Sequence, residues 1–239
     1  MESKIGPPMT LNQRNAAFTR TDALILAGVI GLLMAVVFPA PAHDRARSLR
    51  IMCANNLRQV GSSFQLWGND HGEQPPFYVY PESGGTRNHV LTPNVWYHFA
   101  WISNELVSPR ILLCPSDSGT PAEDFSLSHR SGYLHPNFKG MATSYLLAHQ
   151  GGMRFDADQY LSGDRNVGGY GSGESSIFRW SLRMSPTPSN PLQWLPGLHS
   201  SAGNLLRNDG GVEQLGDREI QSRFDKMNVS FLLEFITPR

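Results

Sequence analysis

Ala16-Ala17-Phe18-Thr19-Arg20-Thr21-Asp22 leads into Ala-Leu-Ile-Leu-Ala-Gly-Val-Ile-Gly-Leu-Leu-Met-Ala-Val-Val-Phe over residues 23–38. No charged or strongly polar side chain interrupts that run. As a helix rising 1.5 Å per residue it covers about 24 Å, slightly less than the ~30 Å hydrocarbon core of a bilayer. Extending it back to Phe18 gives a full span but brings Asp22 to the membrane boundary, where a carboxylate is costly unless paired. A short polar leader containing Lys4 and Arg14 precedes it, and Arg45, Arg47 and Arg50 follow it. The positive-inside rule therefore does not choose an orientation. A cleaved secretory signal, ending in the Pro-Ala repeat of residues 39–42, and a buried core helix are the competing readings.

The rest of the chain is of a different kind. Its 239 residues hold 20 basic and 20 acidic side chains, so the formal net charge is zero. A protein that works on nucleic-acid phosphates carries a basic excess, so no nucleic-acid partner is expected. Glycine and proline are abundant, at 23 and 17 residues, against only 17% charged residues. That composition points to a loop-rich folded domain. The two cysteines, Cys53 and Cys114, can form one disulfide in a chain exported beyond a membrane. Two buried free thiols are the alternative. Neither has a C-x-x-C partner or a histidine at ligand spacing, so spacing supports no metal site and no cofactor.

After Pro39 and Pro41, which should kink or break the helix, a helical pattern resumes. Leu49, Cys53, Leu57, Val60, Phe64 and Trp67 recur every three or four residues, an apolar stripe suited to packing on a sheet. Arg45, Arg47, Arg50, Asn55, Arg58 and Gln59 occupy the other faces. A bent helix from about Thr19 to about Asn69 is predicted, ended by the Gly- and Pro-rich residues 68–76. Residues 95–106 read as a short aromatic helix, 108–113 as an extended segment, 143–148 as a strand and 161–176 as a glycine-rich loop. That loop lacks Gly-Lys-Ser/Thr and so is no P-loop. Asn208-Asp209-Gly210-Gly211, flanked by apolar residues, is a hairpin signal. Residues 231–236 supply a last strand, and the whole reads as α+β.

The segment Ala17-Phe18-Thr19-Arg20-Thr21-Asp22 and its apolar run resemble the processing signal of type IV pilins and type II secretion pseudopilins. The family form is Gly, then Phe-Thr-Leu-Ile-Glu, then an apolar helix. Carried over, the resemblance implies cleavage by a prepilin peptidase between Ala17 and Phe18 and methylation of the new amino terminus. Asp22 then stands at the fifth mature position and Pro39 where many members have a kinking proline. Ala17 replaces the usual Gly and Asp22 the usual Glu. Downstream, Cys53-Ala54-Asn55-Asn56-Leu57-Arg58-Gln59-Val60-Gly61 is similar to the C-x-N-N-L-R-Q-[IV]-G signature of a bacterial pseudopilin-like family. Cys114-Pro115-Ser116-Asp117 is similar to its second cysteine motif. His199 with Asp209 and Gly210 fits its H-x9-D-G signature, with Asn204 and Val212 in place and Gly211 where many members have a second His.

The resemblance implies a pilin-like fold in which a long bent helix, its first half in the membrane, packs on a small antiparallel sheet with long loops. Residues 1–17 would be the leader, 18–42 the transmembrane assembly helix and 43–239 the periplasmic domain. The expected function is that of a non-enzymatic pseudopilin-like subunit, single-pass in a bacterial inner membrane. Its partners would be other pilin-like subunits and the prepilin peptidase, with Asp22 pairing with the amino group of a neighbouring Phe18. The alternatives are a signal-anchored envelope enzyme using His199 and Asp209, or a tethered binding module using its loops. No H-E-x-x-H or G-x-S-x-G motif supports the first, and His199 and Asp209 read first as a sheet buttress and a turn former, ahead of a catalytic pair. Asp70-His71 is a weaker acid–base candidate. Asp117, Asp156, Asp158 and Asp164 could line a calcium loop but lack EF-hand spacing. Arg45, Arg47 and Arg50 read as a solvated or lipid-facing edge.

Overall fold

A computed structural model describes residues 19–37, 42–128, 130–136, 138–149, 159–168, 181–184, 192–226 and 234–238. Two compact units divide the chain, Met1–Ala42 and His43–Arg239.

In the first unit, α1 spans Arg20–Val37. Thr19 and Asp22 start it as a reciprocal cap. The Asp22 carboxylate accepts from the Thr19 backbone N–H at 2.9 Å, and the Thr19 hydroxyl accepts from the Asp22 N–H at 3.2 Å. Two orphan donors of the first turn are thereby satisfied. Its large apolar side chains are exposed all round, Leu24 at 72%, Ile25 at 66% and Leu32 at 70%. Among the described residues no helix is long and apolar enough to cross a membrane. The charge-free part of α1, residues 23–37, rises about 22 Å. Phe38, Pro39 and Pro41 lie outside the described residues, as do Ala17 and Phe18. The expected kink, the leader and the cleavage point therefore carry no structural description.

The second unit is α+β. Helix α2 spans Ala42–Asn69, and its stripe is buried: Cys53, Leu57, Val60 and Phe64 are fully enclosed, with Trp67 nearly so. The helix ends where the His71 and Glu73 N–H groups both bond the Gly68 carbonyl at 2.9 Å. The His71 ring stacks on Trp67 with centroids 3.6 Å apart, so its role here is to close the helix end. Helices α3 (Val95–Trp101) and α4 (Ser103–Leu106) add Val95, Phe99, Ile102 and Leu106 to the same core. The segment expected to be extended before Cys114 is instead a 3-10 turn, Pro109–Leu112, begun by a proline whose missing N–H costs nothing there.

Among the described residues eight strands follow: β1 (Tyr145–His149), β2 (Tyr160–Asp164), β3 (Val167–Gly168), β4 (Ser181–Met184), β5 (Gln193–Trp194), β6 (Ala202–Arg207), β7 (Val212–Gly216) and β8 (Glu234–Pro238). Six form one antiparallel sheet in the order β4-β8-β1-β2-β6-β7, and β3 pairs with β5 as a separate ribbon. The sheet is thus larger than the small one expected. Residues 161–164 and 167–168 are strand rather than glycine-rich loop. Gly163 is where strands β2 and β6 approach closely: a Cβ there would meet Leu205 Cδ2 at 2.5 Å. Residues 169–176 lie outside the described residues. A ten-residue helix α5, Asp217–Lys226, closes the β6–β7 side and buries Ile220.

Two cores lie on the sheet's two faces. Tyr145, Leu147, Leu161, Leu206 and Ile236 join the α2 stripe, while Leu146, Tyr160, Trp194, Leu205, Leu215 and Ile220 form the other. Tyr145 and Asp164 are register partners, and Asn204 stands two residues from Leu206 on β6. Period-two alternation therefore places both Asp164 and Asn204 on the α2 face, a polar patch inside an apolar layer.

Candidate functional site

Cys53 of α2 and Cys114 are joined by a disulfide that closes 61 residues of chain, with Cα atoms 5.0 Å apart. The Cys-Pro-Ser-Asp turn holds the second sulfur in place. Asp117 N–H returns to the Cys114 carbonyl at 2.8 Å. The Asp117 carboxylate accepts from the Ser144 hydroxyl at 2.6 Å and pairs with Arg165 at 2.8 Å. Ser144 Oγ accepts in turn from the Cys114 N–H at 2.9 Å. Asp117 thus shapes the cysteine turn, which takes it out of the candidate calcium set. Asp156 and Asp158 of that set lie outside the described residues.

The loop between β5 and β6 brings His199 to the disulfide. Asn166 pins both ends of this loop, its side-chain amide donating to the Leu195 and Ala202 carbonyls at 3.1 Å each. Ser200 and Ser201 hold positive φ values of 53° and 60°, a conformation that costs non-glycine residues about 1–3 kcal/mol each. That backbone turns the imidazole inward, leaving its side chain 2% exposed. His199 Nε2 lies 3.5 Å from Cys114 Sγ and 3.4 Å from Asp164 Oδ2.

Asp164 is fully buried. Its Oδ2 accepts from the Asn204 backbone N–H at 2.7 Å and from the Asn204 side-chain amide at 2.9 Å. Asp164 Oδ1 and Asn204 Oδ1 are buried with no hydrogen-bond partner among the described residues. Arg50 reaches over from α2 and donates to the carbonyls of Gly203 and Leu215 at 2.9 and 3.3 Å. Burial pushes the Asp164 carboxyl up to about 7, against the opposing Asn204 hydrogen bonds and the Arg50 charge. Burial, assisted by the Arg50 charge, brings His199 down to about 4. Both shifts disfavour a full ion pair, so at neutral pH the imidazole is uncharged and the carboxyl is poised between its two forms.

Of the residues singled out in the sequence, Cys53, Cys114 and His199 converge, whereas Asp209 and Gly210 do not join them. Asp209 sits in the β6–β7 turn, where its carboxylate accepts from Gly211 N–H at 2.8 Å and pairs with Arg207. Those bonds hold its pKa below the usual carboxylate value. Gly210, at φ 85°, supplies the left-handed position of the turn. Asp22 caps α1. Arg50 is not part of a solvated arginine edge, since it is half-buried against the sheet. Arg47 and Arg50 line a cleft of about 690 Å³ whose walls also include Ser116, His199 and Gln214. Sequence reasoning passed over Asp164 as a core group and Arg50 as its neighbour. The available signal was Asn204, which the resemblance sets beside His199 and Asp209 and which clamps Asp164.

No family model, curated protein or solved structure matches the chain. Cys114 and Asp164 approach the same nitrogen of His199, the sulfur at hydrogen-bonding distance and the carboxylate at a separation longer than a good N–H···O bond. In a Cys–His–Asp relay the carboxylate would orient the ring through its other nitrogen. Here one nitrogen faces both a disulfide sulfur and a carboxylate.

Proposed function

We propose that this chain is a non-enzymatic pseudopilin-like subunit of a type II secretion or type IV pilus-like envelope assembly. Its apolar N-terminal helix anchors it in the inner membrane and its disulfide-stapled domain is displayed in the periplasm. The observation that carries this reading is α1, an 18-residue helix that leaves Leu24, Ile25 and Leu32 exposed. A helix apolar on every face is stable against lipid or against copies of itself, not in water. The buried disulfide supports the same reading, since such bonds persist in oxidising compartments. The amphipathic α2 lying on an antiparallel sheet fits the expected pilin-like arrangement. Asp209, bonded to Arg207 and Gly211, lends no support to a His199–Asp209 acid–base pair.

Intact-mass measurement of the membrane-extracted protein tests the proposal. A species that begins at N-methylated Phe18 is expected. A full-length mass would remove the processed-subunit reading and leave a simple anchor.

A further inference from the structure

We infer that the Cys53–Cys114 bond closes a latent metal site: once reduced, Cys53, Cys114 and His199 form a three-donor centre for a zinc-class divalent ion, with the Asp164 carboxylate beside it. This goes beyond the assembly role and does not depend on it. The sulfur atoms of Cys53 and Cys114 and a ring nitrogen of His199 all lie within 4.8 Å of one another. With zinc-like bond lengths and tetrahedral angles, an N···S edge of a coordination polyhedron is about 3.6 Å. The corresponding separation here is 3.5 Å from His199 Nε2 to Cys114 Sγ, while Asp164 Oδ2 lies 3.4 Å from the same nitrogen and flanks the three donors. With Cα atoms 5.0 Å apart, both cysteine side chains can reach one ion after the bond opens.

Three further observations point the same way. Asp164 Oδ1 is fully buried with no partner among the described residues, an arrangement costly in a site meant only to be filled by protein. Asn204 grips Oδ2, the oxygen that faces His199, with two N–H groups, the kind of outer support that holds a carboxylate beside a ligating histidine. The charges also balance. Two thiolates and the Asp164 carboxylate bring three negative charges against the one positive charge of Arg50, and a divalent cation neutralises the remainder.

A dithiol reductant gives two electrons and two protons to the Cys53–Cys114 bond by thiol–disulfide exchange and becomes a disulfide itself. Metal binding then releases both thiol protons to solvent. The protein would thus take up metal only in a reducing environment and return it on oxidation.

Cobalt(II) chloride is the probe. The full-length, detergent-extracted protein is divided into an oxidised sample and one reduced without oxygen by a phosphine, which leaves as its oxide and does not compete for the ion. The reduced protein is expected to bind one cobalt per chain, with the thiolate charge-transfer band and visible bands of a tetrahedral site. The oxidised protein should show neither. His199→Gln and Asp164→Asn, each checked for native circular dichroism, should weaken binding by roughly 10- to 100-fold, the loss usual even for outer-shell groups. The inference is overturned by a reduced protein that binds no cobalt or by equal binding to the oxidised form. It is equally overturned if His199→Gln leaves affinity and spectrum unchanged, because the thiols alone would then be responsible.

Discussion

A Cβ on Gly203 would lie 2.2 Å from Cζ3 of Trp194, well inside contact distance. Trp194 is 3% exposed and belongs to the β3–β5 ribbon, its backbone N–H held by Asp217 Oδ1 at 2.8 Å. The ring cannot retreat without pulling β5, and β5 leads directly into the loop that carries His199. Gly203→Ala is therefore an overpacking change, expected to cost about 1–3 kcal/mol. Urea unfolding should register it as a lower midpoint with an unchanged slope. Trimming the obstacle in the double variant Gly203→Ala, Trp194→Leu should make the combined loss smaller than the sum of the two single losses. A Gly203→Ala midpoint equal to wild type would show that the ring moves freely.

At the scale of elements, α2 is tied to the sheet twice, by its apolar stripe and by the disulfide. Cross-linking across 61 residues removes chain entropy from the unfolded state worth about 4 kcal/mol in the loop-closure picture. For a domain of this size that corresponds to a drop in Tm on the order of 10 °C. Melting the full chain with and without a phosphine reductant, with a chelator in both samples to exclude metal, measures it. An unshifted melt would mean that the stripe alone carries the helix. The stripe was legible in the sequence because an apolar repeat of three and four residues, sustained from Cys53 to Trp67, is what one buried helix face produces. The β6–β7 hairpin was legible because Asn208-Asp209-Gly210 suits a turn with positive φ. Strand β2 was hidden because Gly163 serves a close approach between neighbouring strands and reads as a loop residue. Helix α5 has Ile220 as its one described buried apolar side chain, so no periodicity announces it. The polar cluster was least visible of all. Asp164, His199 and Arg50 come from a strand, a loop and a helix far apart in sequence, and their meeting is a product of tertiary packing.

At the scale of the whole molecule, the proposed assembly role turns on Asp22. In the single chain its carboxylate already accepts from the Thr19 N–H and the Thr19 hydroxyl, at 2.9 and 2.7 Å. Capping of its own helix and pairing with a neighbour's Phe18 amino group are therefore competing uses of one group. They separate by charge. Asp22→Asn keeps an oxygen acceptor for the cap, so α1 and its insertion should be retained. The same change removes the negative charge, and leaving a partner's ammonium group unpaired in a low-dielectric contact costs about 3 kcal/mol or more, roughly 100-fold in association. Thr19→Ala is the reciprocal test, since it weakens the cap by about 1 kcal/mol but leaves the carboxylate for the neighbour. Pull-down of untagged by tagged copies from extracted membranes should then fall sharply for Asp22→Asn and little for Thr19→Ala. If both variants co-assemble like wild type, Asp22 is a helix cap and the register of any assembly is set by the apolar side chains of α1 alone.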